Sequence, residues 1–260
     1  MARAKRHYIP GQVWHITHRC HKREFLLKFS RDRNRWLQLL YEARNRFGLS
    51  VLNYAVTSNH IHLLVSDDAG RKVIPDSIKM IAGRTAQEYN RRKKRKGAFW
   101  EDRYHATAVE GGEHLLRCLV YIDLNMVRAG IVGHPSEWGY SGYNEIQNPK
   151  RKQVLINYQK LRELLGFGTY EEVKSAHEKW VESSLANGDT GREEKWSRSI
   201  AVGSKDFIDR IKTKMGIMAT GRQRSEIGGS YQLREGQTVY GDHFGAQKSN
   251  IGPENAYFWS

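Results

Sequence analysis

The order of two hydrophobic periodicities along the first 130 residues constrains the fold more than any other feature of this sequence. Alternation of apolar and polar residues predicts a strand, whereas apolar residues spaced three or four apart predict a helix. The segments read strand, helix, strand, strand, helix, strand, and one further helix follows. In chain order they are residues 13–19, 32–47, 49–56, 60–66, 75–92, 104–109 and 113–129.

This order of strands and helices defines the fold class. A βαββαβ order is that of the ferredoxin-like, split-βαβ α+β fold, in which an antiparallel sheet carries helices on one face. Thr57, Ser58 and Asn59 separate the second and third strands by a short polar turn, which predicts a hairpin. Gly48 stands where the first helix must end, because glycine readily adopts the left-handed conformation of a helix C-terminus.

The pattern of the sequence changes after about residue 150. Segments of helical periodicity continue, with a linker rich in Gly, Asp and Asn over residues 186–193. The C-terminal residues are rich in glycine and polar side chains, with scattered aromatics. We therefore predict a domain over residues 1–150, a helical C-terminal region over 151–216 and an extended polar tail over 217–260.

An excess of basic residues restricts the partners of the chain. The sequence holds 43 Lys and Arg against 28 Asp and Glu, which gives a net charge of +15. Such a charge attracts polyanions, of which nucleic acid is the commonest and an acidic membrane surface the alternative. No apolar run approaches the ~20 residues that cross a bilayer, and the basic N-terminus lacks the apolar core of a secretory signal. Cys20 and Cys118 do not form a disulfide framework, so we expect a cytoplasmic protein.

Two histidines lie on one face of the third predicted strand. Because side chains alternate along a strand, His60 and His62 share one face, whereas Ile61, Leu63 and Val65 share the other. The apolar face can be buried against helices. The two imidazoles then lie ~7 Å apart at Cα, a separation at which both can bind one divalent ion. The alternative is a pair of surface histidines on a half-exposed strand.

The last helix of the predicted domain carries a polar stripe beside its apolar one. Apolar residues at helical spacing form the core stripe: Leu115, Leu119, Ile122 and Met126. Polar residues at the same spacing form the other: Arg117, Tyr121, Asn125 and Arg128. Tyr121 and Asn125 are four residues apart, so their side chains can meet. The alternative is a tyrosine at the core boundary and an asparagine near the end of the helix.

Five motifs between about residues 5 and 150 give the chain a resemblance to a known family. They are HITHR (15–19), YAVTSNHIHLLV (54–65), FWEDRY (99–104), YIDLNMVRAG (121–130) and WGYSGY (138–143). On these motifs, which occur in the family's order, the chain resembles the REP-associated tyrosine transposases, relatives of the single-tyrosine HUH transposases. One departure is Met126, at a position where the family usually has proline.

The resemblance implies roles for four residues. His60 and His62 would bind a divalent metal ion, Mg²⁺ or Mn²⁺, and Asn125 would complete the metal site. Tyr121 would attack a DNA phosphate and leave a covalent 5′-phosphotyrosine and a free 3′-hydroxyl. A tyrosine hydroxyl, with a pKa of ~10, is a poor nucleophile, and a metal ion would assist it by polarising the phosphate. The implied enzyme is a metal-dependent nickase and strand-transferase for single-stranded DNA.

Basic and aromatic side chains supply candidates for DNA contacts, because cations meet phosphates while unpaired bases stack on rings. A run of six basic residues, RRKKRK, occupies positions 91–96. The predicted DNA-binding residues are Arg3, Lys5, Arg6, Arg91, Arg92, Lys93, Lys94, Arg95, Trp100, Arg103, Tyr104, Arg117 and Arg128. The alternatives are that the basic run is a solvated loop and that Trp100 belongs to the core.

The resemblance also implies a partner. The DNA would be a hairpin from a repetitive extragenic palindrome with a single-stranded tetranucleotide beside it, read in part by Arg3, Lys5 and Arg6. The protein would be bacterial and nucleoid-associated, a monomer or a homodimer. Two other interpretations stay open. One is a non-catalytic DNA- or RNA-binding regulator on the same fold, and the other is a zinc hydrolase in which His15 and His105 join His60.

Overall fold

A computed structural model describes residues 9–66, 70, 72–188 and 191–235. The strands, in chain order, are β1 (Val13–Arg19), β2 (Ser50–Val56), β3 (His60–Ser66), β4 (His105–Val109), β5 (Ala201–Gly203), β6 (Arg222–Ile227) and β7 (Ser230–Glu235). The helices are α1 (Ser30–Phe47), α2 (Val73–Arg92), α3 (Glu113–Asp123), α4 (Asn125–Arg128), α5 (Tyr143–Gln147), α6 (Tyr158–Leu165), α7 (Tyr170–Ala186), α8 (Lys195–Arg198) and α9 (Lys205–Met215).

The first four strands form the predicted antiparallel sheet. They lie in the order β2-β3-β1-β4, with β1 in the middle between β3 and β4. This is the strand order of a ferredoxin-like fold, and it confirms the fold class. In the β1–β3 register Thr17 lies opposite His62 and His15 lies opposite Leu64, so these four side chains share one face of the sheet.

Helices cover both faces of this sheet. α1 and α2 pack on each other on the face opposite the histidine pair, where Trp100 stacks on His18 and donates its indole N–H to the Ala82 carbonyl of α2. α3 lies on the histidine face, held to β2 by a hydrogen bond from Asn53 to Asp123. The two crossover helices therefore lie on one face as predicted, and α3 leaves one end of the other face open.

The helix predicted over residues 113–129 is interrupted. α3 ends at Asp123 and α4 begins at Asn125, because Leu124 has a ψ of 3°. Hydrogen bonds from the Leu124 amide to Val120 and from the Arg128 amide to Leu124 span the interruption. The two helical pieces consequently keep Tyr121 and Asn125 on the same side, although the prediction of one continuous helix is wrong.

The WGYSGY motif lies along the outer edge of β2. The Val56 amide donates to the Tyr140 carbonyl at 2.9 Å, and the Gly142 amide donates to the Tyr54 carbonyl at 2.8 Å. A Cβ atom on Gly142 would come within 2.2 Å of the Asn53 side-chain oxygen, so only glycine allows this approach. The motif therefore protects the sheet edge and presses on the residue that holds α3.

The C-terminal region is helical in part, as predicted, but it also enlarges the sheet. β5 pairs in parallel with β4, and β7 and β6 continue the sheet beyond β5, to seven strands among the described residues. Residues 222–235, predicted as part of an extended tail, instead form a hairpin. Gly228 and Gly229 both have positive φ, as a two-residue hairpin turn requires. Residues 236–260, the rest of the predicted tail, and Arg3, Lys5 and Arg6 lie outside the described residues.

Candidate active site

The histidine pair lies where the sheet face is left open beside α3. His62 is buried, with 4% of its surface exposed, and His60 is half-buried at the first position of β3. Their ring centroids are 5.0 Å apart. The opposite face of β3 carries Ile61, Leu63 and Val65, all buried. The alternation read from the sequence is therefore confirmed, and the two imidazoles face one space.

Each imidazole is held through its Nδ1 atom, which leaves its Nε2 atom for the cleft. The His60 Nδ1 lies 2.7 Å from the Asn59 Oδ1 and 3.0 Å from the Thr57 hydroxyl. The His62 Nδ1 lies 2.9 Å from the Nε2 of His15, and the His62 Nε2 lies 2.9 Å from the Asn125 amide nitrogen. The His62 Nε2 and the Asn125 amide thus meet in the cleft, and Asn125 also lies within hydrogen-bonding reach of His60.

Burial keeps these rings neutral. It lowers the pKa of His15 to about 3 and that of His60 to about 4, since a charged imidazolium loses its hydration. Burial lowers the pKa of His62 as well, and the neighbouring His60 and His15 lower it further. Neutral imidazole is the form that binds a metal ion.

Tyr121 closes one side of the same space. Its ring centroid lies 5.9 Å from that of His62 and 6.1 Å from that of Trp196, and 6% of its surface is exposed. Burial raises the pKa of Tyr121, whereas the positive charges of Arg128 and Arg192 act in the opposite direction. The Arg128 guanidinium lies 4.2 Å from the centre of the tyrosine ring, and it also donates to the Tyr121 carbonyl. The phenol therefore sits beside a fixed positive charge.

These side chains line a cleft of about 1070 Å³. His60, His62, Tyr121 and Asn125 lie in its wall. Its lining is rich in guanidinium groups, those of Arg19, Arg23, Arg103, Arg128, Arg192 and Arg198, against the carboxylates of Glu101 and Asp102. A cleft of this charge is suited to a chain of phosphates.

One wall of the cleft comes from the C-terminal region, which the sequence did not assign to the site. Gly191, Arg192, Ser197 and Arg198 line the cleft, and the fully buried Trp196 packs behind them. Arg192 lies near enough for its charge to influence the pKa of His60, His62 and Tyr121. A single sequence carries no periodicity in this glycine-containing linker from which its position could be inferred.

Arg19 and Arg23 were also missed by the sequence reasoning. For Arg19 a signal exists, because strand alternation from His15 places it on the histidine face, and the register pairs it with His60. Arg19 forms an ion pair with Glu101 at the rim. Arg23 lies beyond the end of β1 in a short 3₁₀ turn, where alternation no longer applies.

The predicted DNA-binding residues divide between the cleft and other surfaces. Arg103 and Arg128 line the cleft. Tyr104 is buried in the core, and Trp100 is half-buried against His18, with ring centroids 4.1 Å apart. Arg117 lies away from the cleft, where it pairs with Glu113 on its own helix and donates to the Gly228 carbonyl.

The basic run at the end of α2 is outside the cleft but close to one of its edges. Arg91, Lys93 and Lys94 are exposed. Arg92 is paired with Asp32, and Arg95 lies 3.4 Å from Glu24, the neighbour of the cleft residue Arg23. Positive charge therefore extends from the cleft rim towards the predicted run, and these residues stay candidates for contacts with a longer DNA.

The donor set fits a small divalent cation that accepts nitrogen and oxygen ligands. Both Nδ1 atoms face hydrogen-bond acceptors, so each ring keeps its lone pair on Nε2, and that of His62 faces Asn125. Among the described residues no cluster of three or more His, Cys, Asp or Glu side chains is suited to hold a metal ion. The zinc hydrolase alternative needed His15 and His105 as metal ligands. His15 instead forms a hydrogen bond with His62, and the His105 Nε2 forms one with the Ser199 carbonyl.

Part of the chain matches a known protein family. Residues 10–125 match the family of IS200-like transposases. A solved REP-associated tyrosine transposase bound to a REP hairpin is similar at 18% identity and a TM-score of 0.47, over 56% of this chain and 84% of that one. A solved putative transposase from Deinococcus radiodurans is similar at 20% identity and a TM-score of 0.34, over 45% of this chain and 92% of that one. No curated protein matches the sequence. Among the described residues no helix is long and apolar enough to cross a membrane.

Proposed function

We propose that this chain, whose residues 10–125 match the family of IS200-like transposases, cleaves and rejoins single-stranded DNA with Tyr121 as the nucleophile. The observation that carries the proposal is the meeting of Tyr121, His60, His62 and Asn125 in one cleft lined by arginines. A phenol, a set of metal-ligand donors and a phosphate-binding surface are the parts that such a reaction needs.

The reaction exchanges one phosphate ester for another. The Tyr121 oxygen bonds to phosphorus while the bond from phosphorus to the 3′ oxygen breaks. The tyrosine loses its proton and the departing 3′ oxygen gains one, so the products are a 5′-phosphotyrosine and a 3′-hydroxyl. Because the number of phosphate ester bonds is unchanged, the step can reverse onto another 3′ end without ATP.

His60, His62 and Asn125 would hold the divalent ion, Mg²⁺ or Mn²⁺. When bound, such an ion supplies charge that polarises and orients the scissile phosphate. Asn125 would offer its amide oxygen as the third ligand, in place of the amide nitrogen that now faces His62. Arg128, over the tyrosine ring, would stabilise negative charge as the phenol loses its proton and the phosphate is attacked.

The DNA would lie with its unpaired strand in the cleft and its hairpin towards the edge at Arg23. The rim arginines would meet the phosphates, and the exposed cations at the end of α2 would meet the duplex. The resemblance to REP-associated tyrosine transposases supports a hairpin from a repetitive extragenic palindrome, with an adjacent tetranucleotide, as the target. In this proposal Arg3, Lys5 and Arg6 read the tetranucleotide.

The test uses the full chain and a hairpin oligonucleotide with a single-stranded flank. The label lies on the 3′ side of the cleavage point, in the fragment that stays bound to Tyr121. With Mg²⁺ or Mn²⁺ we expect a protein–DNA adduct that survives SDS, and we expect no adduct when EDTA is present from the start of the incubation. Tyr121→Phe should give no adduct while still binding the hairpin, because only the attacking oxygen is removed. Tyr41→Phe, which removes a phenol on α1, is the matched control and should cleave normally.

Two results would contradict the proposal. Efficient adduct formation by Tyr121→Phe would exclude this residue as the nucleophile. Tight hairpin binding by the unaltered protein, with no adduct in either metal ion, would favour the non-catalytic nucleic-acid-binding regulator instead.

A further inference from the structure

A chain of hydrogen bonds links the C-terminal region to His62 through a residue for which the proposed reaction gives no role. His15, on β1, is fully buried. Its Nδ1 atom lies 2.8 Å from the carbonyl oxygen of Trp196, and its Nε2 atom lies 2.9 Å from the Nδ1 of His62. The two imidazole planes are nearly parallel, at 9°.

The direction of these hydrogen bonds follows from which groups can donate a hydrogen. A backbone carbonyl only accepts, so the His15 Nδ1 must carry a hydrogen. In a neutral ring the Nε2 of His15 then has a lone pair, and it accepts the hydrogen on the Nδ1 of His62. His62 is left with its own lone pair on Nε2, where the Asn125 amide nitrogen donates to it.

This is the tautomer that a metal ligand needs at Nε2. His60 reaches the same state by a different route, since its Nδ1 faces the Asn59 oxygen and the Thr57 hydroxyl. Those two groups belong to the turn just before β3. For His62 the corresponding partner comes from β1, and His15 is in turn held by the carbonyl of Trp196, the residue behind the C-terminal wall of the cleft.

We propose that His15 is a positioning residue, which, anchored by the Trp196 carbonyl, fixes the tautomer and orientation of His62 and so sets the affinity of the site for a divalent ion. The inference rests on the proposed function for the identity of the metal ligands. It gives the C-terminal region a second part in the site besides lining the cleft, because the Trp196 carbonyl is the last acceptor in this series of hydrogen bonds. Loss of such an outer partner typically lowers metal affinity about 10- to 100-fold.

The experiment compares two substitutions of His15. His15→Leu fills the space with an apolar side chain and removes the acceptor for His62. His15→Gln retains an amide oxygen that can accept from the Nδ1 of His62. We expect His15→Leu to weaken Mn²⁺ binding, measured by calorimetry and by electron paramagnetic resonance, about 10- to 100-fold, and His15→Gln to weaken it much less.

His114→Leu is the matched control. His114 lies on α3 outside the cleft, where its ring nitrogens lie near Ser230 and Glu110. We expect this control to bind Mn²⁺ as the unaltered protein does. Hairpin binding without metal and the thermal melting curve check that each variant is folded.

A second measurement needs no variant and no metal. Nitrogen-15 spectra of the metal-free protein should show His62 with its hydrogen on Nδ1. A hydrogen on Nε2 of His62 would overturn the inference, as would unchanged Mn²⁺ affinity in folded His15→Leu. Failure of the proposed function looks different, since the unaltered protein would then form no covalent adduct with the hairpin or bind no Mn²⁺ at this site, whichever tautomer His62 adopts.

Discussion

Arg128 contacts Tyr121 in two ways, and the two contacts have different consequences. Its guanidinium lies 4.2 Å from the centre of the tyrosine ring, and one of its nitrogens donates to the Tyr121 carbonyl. The hydrogen bond fixes the arginine on the interrupted helix. The charge over the ring opposes the effect of burial, which raises the pKa of the phenol. The proposed nucleophile, in its protected site, is thus paired with a cation that favours its ionised form.

We expect Arg128→Ala to slow adduct formation by about 10²-fold, the usual loss when one group that stabilises developing negative charge is removed. Single-turnover cleavage of the hairpin oligonucleotide at saturating protein measures the effect apart from DNA affinity. Arg117→Ala is the matched control, because Arg117 lies on the same predicted stripe but pairs with Glu113 away from the cleft. Equal rates for the two variants would mean that Arg128 only binds DNA or only supports the helix.

At the level of residues, the sequence could predict which side chains share a face but not what holds them. Strand alternation was enough to put His60 and His62 together. The partners that fix their tautomers come from a turn and from β1, and the carbonyl behind His15 lies 181 residues further along the chain. Contacts of that separation depend on tertiary packing, about which a local pattern carries no information.

Among the elements, α3 is attached to the C-terminal region by a buried polar network as well as by apolar packing. The Asp123 carboxylate accepts from His177 of α7 at 2.7 Å and from Asn53 of β2 at 3.1 Å. Gln147 of α5 donates to the other nitrogen of the His177 ring at 2.9 Å. Asp123 is two residues from Tyr121, so this network holds the position of the proposed nucleophile along the sheet.

His177→Ala should destabilise the protein by about 3 kcal/mol, because it leaves the buried Asp123 carboxylate without its main donor. Unfolding in urea, followed by circular dichroism, gives the free energy. The control is His134→Ala, which removes an imidazole that pairs with Glu182 at the surface and should cost less than about 1 kcal/mol. A loss of similar size in both variants would contradict the role assigned to the network.

The elements that the sequence predicted were those with long, regular periods. α1 begins and ends within two residues of its prediction, and Gly48 terminates it in the left-handed conformation. β5 spans three residues, too few for a period to be recognised. The β6–β7 hairpin is a different case: its Gly228-Gly229 turn is a hairpin signal in the sequence, but the surrounding polar residues made the segment resemble an extended tail.

In the whole molecule, the net charge of +15 is not a measure of how the protein would hold DNA. Many of its cations are neutralised locally, such as Arg35 by Glu88 and Arg224 by Asp209. What distinguishes the cleft is that guanidinium groups from the ferredoxin-like part and from the C-terminal wall face one space with few carboxylates. The sequence predicted a basic protein with a basic run, but not that Arg192 and Arg198 of the C-terminal region join four arginines of the ferredoxin-like part in one cleft.

This arrangement predicts that Arg192 contributes to DNA binding far more than an average surface cation. Each phosphate contact on single-stranded DNA steepens the dependence of log affinity on log salt concentration by about 0.7. Arg192→Ala should therefore weaken binding of the single-stranded flank and make that slope shallower by about 0.7, with little dependence on base sequence.

Lys212→Ala makes the same change of net charge on α9, outside the cleft, and should leave the slope unchanged. Fluorescence anisotropy titrations between about 50 and 200 mM salt, a range over which such contacts are separable, measure both slopes. If the two variants lost equal amounts, the DNA would be responding to the total charge of the protein, and the C-terminal wall would have no place in the binding site.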